Sequence, residues 1–209
     1  MSRMNATDRR RQILEAAVVC FATHGYRGTT TAILARTAGV SEPVLYRHFS
    51  SKQAMFVALL DRASRESLSE WRHAIAPLRS PMDKLRVLLR LNPATHPRLG
   101  RFYHIIFHAQ SEISDPLILA ALRRHYQGYA RFLTQLIRTA QHAGQVRKDV
   151  MPAGLAWQLI HSGIGFAFIK PLDIPGHTSP AAVEQTIGLL LEQLAGSNDD
   201  PPVPGRPTP

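Results

Sequence analysis

Apolar residues recur every three or four positions along the chain, and nowhere is there a sustained two-residue alternation. That spacing places apolar side chains on one stripe of a helix and predicts an all-α fold. Helices are expected over 8–24, 31–37, 42–48, 51–77, 82–91, 98–112, 115–143, 152–170 and 179–195, about nine in all. Breakers set these limits: Pro77, Pro81, Asn92-Pro93, Pro97, Asp115-Pro116, Gly144, Pro152, and the run from Pro171 to Pro180. Ser50-x-x-Gln53 has the spacing of a capping box opening the fourth helix. That helix carries Phe56, Leu59, Leu60, Ala63 and Leu68 on one stripe. Residues 196–209, GSNDDPPVPGRPTP, hold too little apolar surface to fold and are expected to be disordered.

Residues 29–52, TTTAILARTAGVSEPVLYRHFSSK, have the pattern of a helix-turn-helix. Ala35 is small where two steeply crossed helices must meet, and Gly39 tolerates the positive φ of the turn. Leu45 anchors the second helix on the first, with Phe49 one turn later. Ser41 suits an N-cap, and Pro43 is tolerated in a first turn whose N–H groups lack helical partners. Pro43, Val44, Tyr46 and Arg47 are left pointing outward, with Glu42 and His48 at the edges. An ordinary helical hairpin has no need of that mixture of donors, ring and methyl groups.

The stretch from Arg11 to Leu60 is similar to the TetR family of bacterial transcriptional regulators. The resemblance rests on Ile13-Leu14-x-Ala16-Ala17, Phe21, Gly25-Tyr26, Thr29-Thr30, Ala38-Gly39-Val40-Ser41, Leu45-Tyr46-x-His48-Phe49 and Ser51-Lys52. Val44 departs from the small or hydroxylated residue often found there, and Leu34 replaces the usual isoleucine. The resemblance implies a three-helix DNA-binding domain over 1–50 and a ligand-binding and dimerisation domain over 51–195. By the same resemblance Thr29 or Thr30, Tyr46, His48 and Lys52 hold phosphates, while Glu42, Pro43, Val44 and Arg47 enter the major groove. There Glu42 can accept from cytosine, Pro43 and Val44 can meet thymine methyls, and Arg47 can chelate guanine. Two alternatives stay open: Glu42 as a first-turn acid favoured by the helix dipole, and Arg47 as a phosphate contact.

Charge fits such a partner. The formal net charge is +10, and residues 1–52 hold eight basic and three acidic residues, so half the excess lies in a quarter of the chain. Arg3, Arg9, Arg10 and Arg11 suit phosphate or minor-groove contact, or a solvated basic face. Membrane-surface binding is the rival reading of this basicity, and MSRMNATDRRRQ contains no h-region, so a secretory leader is not expected. The longest apolar run, Leu155 to Ile169, is interrupted by Gln158, His161 and Ser162 and is too short to span a bilayer. A cytoplasmic location is expected. The single cysteine, Cys20, forms no internal disulfide and is expected to be buried beside Ile13, Ala17 and Phe21.

The last two helices are apolar on more than one side. Ile160, Ile164 and Phe168, with Ile187, Leu190, Leu191 and Leu194, offer more surface than one core face uses, although burial within one chain competes for half of them. Gly163, Gly165 and Ala167 permit close helix approach. The resemblance implies that these helices form a two-fold, four-helix homodimer interface. Tyr103, His104, Phe107, His108, Tyr126, Tyr129, Trp157, His161 and Phe166 are candidates to line a cavity for an aromatic or lipid-like inducer, or are plain core. His104, His108 and Glu112 fall at i, i+4, i+8, a spacing open to a metal, a polar pocket wall or a solvated face. No metal and no cofactor is assigned. Motifs of enzymes are missing: there is no G-x-S-x-G, phosphate loop or dinucleotide fingerprint. The expected function is a ligand-responsive repressor that binds a short palindromic operator as a homodimer. The rivals are an activator of the same fold and a sequence-independent nucleic-acid-binding protein.

Overall fold

The computed structural model describes residues 5–91 and 100–195. Arg3, the breakers Asn92-Pro93 and Pro97, and the tail 196–209 lie outside the described residues. Among the described residues the chain forms nine α-helices and no strand. They are α1 (Ala6–Gly28), α2 (Thr31–Ala38), α3 (Glu42–His48), α4 (Lys52–Ile75), α5 (Pro81–Arg90), α6 (Gly100–Gln110), α7 (Pro116–His142), α8 (Pro152–Ile169) and α9 (Pro180–Ala195). A 3-10 turn, Lys170–Leu172, follows α8. No helix among the described residues is long and apolar enough to cross a membrane.

Regular α1 stops at His24. Gly25 adopts φ 65, ψ −177, a conformation essentially reserved for glycine, and only then does a last turn complete the element. The space is tight as well, since a Cβ on Gly25 would stand 3.2 Å from Nδ1 of His108. At the start of α4 the capping differs from the expected box. The hydroxyl of Ser51 accepts from the N–H of Ala54, while Gln53 turns away and donates to the Asp115 carboxylate. Asp115 in turn caps α7, accepting from Leu117 and Ile118 N–H, and these bonds hold its carboxyl below the usual range, the Gln53 bond foremost.

The chain divides into two compact units, Met1–Ala74 with Leu91–Tyr129, and Ile75–Arg90 with Ala130–Pro209. The first extends well past residue 50. Its core joins the three N-terminal helices to α4, α6 and the start of α7 through Ile13, Phe21, Leu34, Leu45, Phe56, Leu59, Ile105, Ile106 and Ile118, all 1% exposed or less. Phe56 meets Phe21 edge-on and Tyr26 tilted, each at 4.9 Å between ring centroids. Cys20 is buried in this core. In the second unit Leu85, Leu133, Ile137, Leu155, Ala156, Leu159, Ile187 and Leu194 are buried. Gln145 accepts from Met82 N–H, and Gln141 donates to the carbonyls of Arg147 and Val150, so two amides organise the loop that follows α7.

Candidate nucleic-acid interface and aromatic cluster

The turn before α3 forms as its composition requires. Gly39 lies at φ 64, ψ 35, and the N–H groups of Gly39 and Val40 close α2 on the carbonyls of Arg36 and Ala35. Ser41 takes the extended N-cap conformation, but its hydroxyl makes no capping bond; its carbonyl accepts from Val44 and Leu45 instead. Leu45 is completely buried and Phe49 nearly so, with the Arg10 guanidinium 3.9 Å above the Phe49 ring. Arg10 also donates to the carbonyl of His48, and Gln12 to that of Ala38, so α1 holds the C-terminal end of both α2 and α3. Pro43, Tyr46 and Arg47 are exposed, while Glu42, Val44 and His48 are half-buried.

Two of the expected phosphate ligands are engaged inward. Thr29 is fully buried, and its hydroxyl is shared between the carbonyls of Gly25 at 2.7 Å and Cys20 at 3.1 Å. It closes the kinked end of α1, and the exposed hydroxyl at this corner belongs to Thr30, the N-cap of α2, which accepts from Ile33 N–H. Lys52 donates to the carbonyls of Tyr26 at 2.9 Å and Thr29 at 3.0 Å, with its ammonium 4.4 Å from the Tyr26 ring centre. Its charge sits on the carbonyl end of α1, where a cation is favoured. Beside α3 lies an open cleft lined by Asn5, Ala6, Arg9, Gly39, Val40, Val44, Arg47 and His48. Asn5 and Arg9 thus join Arg47 and His48 on one surface. For Asn5 the sequence held no signal beyond its nearness to the arginine run.

Four of the nine candidate pocket residues come together. Tyr103 and Tyr129 are buried, Phe107 and Tyr126 half-buried, and Tyr103 meets Phe107 edge-on at 5.7 Å. Burial pushes the Tyr103 phenol well up, with the nearby Tyr129 and Tyr126 phenols adding to the shift. The sequence reading missed two members. Trp71 of α4 lies 4.7 Å from Tyr129, and His125 lies 4.5 Å from Tyr129 and 5.0 Å from Tyr126. Their spacing was the available signal: Ile118, Ala121, Leu122, His125 and Tyr129 share one stripe of α7.

His104 and His108 are exposed on the other side of α6, and His108 lies against Gly25. Glu112 is buried and paired with Arg27 at 2.9 Å. The i, i+4, i+8 set is therefore divided between solvent, a glycine and an ion pair, and no group of three metal-ligating side chains occurs among the described residues.

Trp157, His161 and Phe166 belong to the second unit. Trp157 stacks on His161, and Phe166 on His177. Of the candidate interface residues, Ile160, Ile187 and Leu194 are buried within the chain, Ile164, Leu190 and Leu191 are half-buried, and Phe168 is 67% exposed. The exposed apolar set on this unit also includes Trp157, Ile169, Leu172, Ile174 and Leu189. Gly165 on α8 and Gly188 on α9 have open space where a side chain would stand.

Residues 13–59 match the profile of bacterial regulatory proteins, tetR family. The transcriptional repressor AcnR of Corynebacterium diphtheriae is 29% identical over 189 residues, 90% of this chain and 93% of that protein. The transcriptional regulator UidR of Escherichia coli K12 is 24% identical over 69% of this chain and 72% of its own length. In fold, the SmeT–triclosan complex superposes with a TM-score of 0.76 at 19% identity, over 97% of this chain and 99% of that one. A helix-turn-helix of this geometry lies inside the segment that matches the tetR family of bacterial regulatory proteins, and the all-helical remainder shares its fold with the solved neighbour.

Proposed function

We infer that this regulator binds a short palindromic operator as a homodimer and is released from it by a small molecule. The observation that carries the reading is α3, whose Leu45 is sealed into the core while Pro43, Tyr46 and Arg47 stand outward beside the Arg9 cleft. Phosphate contacts fall to Thr30, Tyr46, His48 and the basic cleft, and base reading to Glu42, Pro43, Val44 and Arg47. Seven residues of recognition helix span too few base pairs alone, so a second copy supplies the other half-site. Its contact surface is the apolar face of α8, α9 and their connection, centred on Phe168, Leu172 and Leu189. The neighbour SmeT is solved with triclosan, which supports an aromatic inducer for this fold.

Selection from random DNA tests the reading. It should return an inverted repeat, with Arg47→Ala and Glu42→Ala each changing which bases are tolerated. Enrichment of no inverted repeat would overturn it and favour the sequence-independent rival, which Glu42 in a groove-facing helix opposes. Sedimentation should show a dimer that Phe168→Asp dissociates, and a monomeric wild type would remove the palindrome with it. Whether the bound operator blocks or recruits polymerase is decided by its position relative to the promoter.

A further inference from the structure

Helix α7 carries a histidine on its buried stripe. The imidazole of His125 is 1% exposed, and neither ring nitrogen has a hydrogen-bond partner. One turn on, the Tyr129 hydroxyl is also buried, with the Ser67 side chain as a polar neighbour but no hydrogen bond of normal geometry. An unpaired buried polar atom carries its full desolvation cost, so native interiors pair nearly all of them. Two such side chains with ring centres 4.5 Å apart are therefore a place where a partner belongs.

The surroundings define that partner. Trp71, Tyr103 and Tyr126 contribute aromatic rings and no formal charge at neutral pH. Burial holds His125 neutral, with its pKa lowered to about 4. Such a cluster offers no counter-ion to a carboxylate or an ammonium group. A neutral imidazole has a lone pair on one nitrogen and an N–H on the other, aimed to different sides of the ring. One ligand atom cannot satisfy both. An O–H must donate to the lone pair, a second oxygen must accept from the N–H, and the Tyr129 hydroxyl can donate to either oxygen.

Resting on the reading of the chain as a ligand-controlled regulator, we propose that His125 and Tyr129 are the polar anchor of its effector site, and that the effector is an uncharged, planar aromatic molecule with at least two hydroxyl or carbonyl oxygens, one of them an O–H donor. The rings of Trp71, Tyr103 and Tyr126 give it stacking surface, and the two oxygens give it orientation.

Calorimetric titration of the full-length protein at pH 7 with naphthalene, 2-naphthol, 2,7-dihydroxynaphthalene and 2-naphthoate tests this. Affinity should rise about tenfold with each hydroxyl, because each pairs a buried orphan group, and the naphthoate should bind less tightly than 2-naphthol. His125→Phe and Tyr129→Phe should each flatten the series. If His125→Phe fails to fold, Tyr129→Phe and the shift of the His125 imidazole carbon resonance on adding the diol to wild type report the same contact. Equal affinity for naphthalene and the diol, tightest binding of the naphthoate, no binding at all, or an undiminished series in both variants would each overturn the proposal. Operator release is scored separately by fluorescence anisotropy. A protein that ranks the series as expected yet keeps its operator supports the anchor and refutes ligand control; one that binds operator but ranks nothing refutes the anchor alone.

Discussion

The helix-turn-helix corner and the aromatic cluster belong to the same compact unit, yet they treat their polar groups in opposite ways. At the corner Thr29, Lys52, Gln12 and Arg10 all donate to backbone carbonyls. In the cluster His125 is just as deep and bonds to nothing, and Tyr129 has Ser67 beside it but no hydrogen bond of normal geometry. A DNA-reading element must hold its register to a fraction of an ångström, so satisfied polar ties serve it. A group meant for a visitor has to be left unsatisfied until the visitor comes, at a cost in stability that the apolar core shared by both regions must cover.

That contrast can be broken or sharpened by substitution. The largest loss is expected for Phe56→Ala, which removes the ring that touches both Phe21 and Tyr26; about 4 kcal/mol should disappear from the denaturation free energy. Next comes acid. The folded pKa of His125, about 4, lies below the unfolded value of 6.5, so the unfolded chain takes up the proton first. Stability should be intact above pH 6.5 and fall by about 3 kcal/mol as pH drops through 4, and His125→Phe should remove that limb of the profile. Gly25→Ala forces a side chain into a backbone region that excludes it and onto His108, for about 2 kcal/mol in the same assay. Lys52→Met should cost about 2 kcal/mol or slightly less by uncapping α1. Its operator affinity should keep the wild-type salt dependence; a slope reduced by about one would show that the ammonium leaves the carbonyls for a phosphate. Arg90→Met, at the exposed pair with Glu184, should leave the denaturation midpoint where it was.

The elements were legible because helix limits are written in single residues. Gly25 ends the straight part of α1 at His24, Asp115-Pro116 opens α7, and Pro152 opens α8, all as spacing predicts. The recognition helix was legible for the same reason, since Gly39 and Leu45 admit few other structures. Side-chain direction was harder. Thr29 and Thr30 are equivalent donors on paper, and only the kink at Gly25 decides which hydroxyl turns inward. Lys52 reads as a phosphate ligand until the carbonyl end of α1 is found within its reach. His125 was overlooked among more conspicuous aromatics, although its stripe on α7 marks it as buried. Trp157, His161 and Phe166 have the composition of a pocket wall, but spacing along one helix does not say which unit a ring will join.

The ties at the corner also govern how it opens. Lys52 closes a loop on residues 23 and 26 positions earlier, and Arg10 closes one of 38. Between them they enclose α2 and α3 completely, so releasing α3 from one end restores little chain entropy until the loop itself opens. Fraying, the usual fate of a seven-residue helix, is suppressed by topology and not by helix propensity. Amide protons of Leu45 through Phe49 should then exchange with solvent at one common rate, set by the cooperative opening of the whole corner.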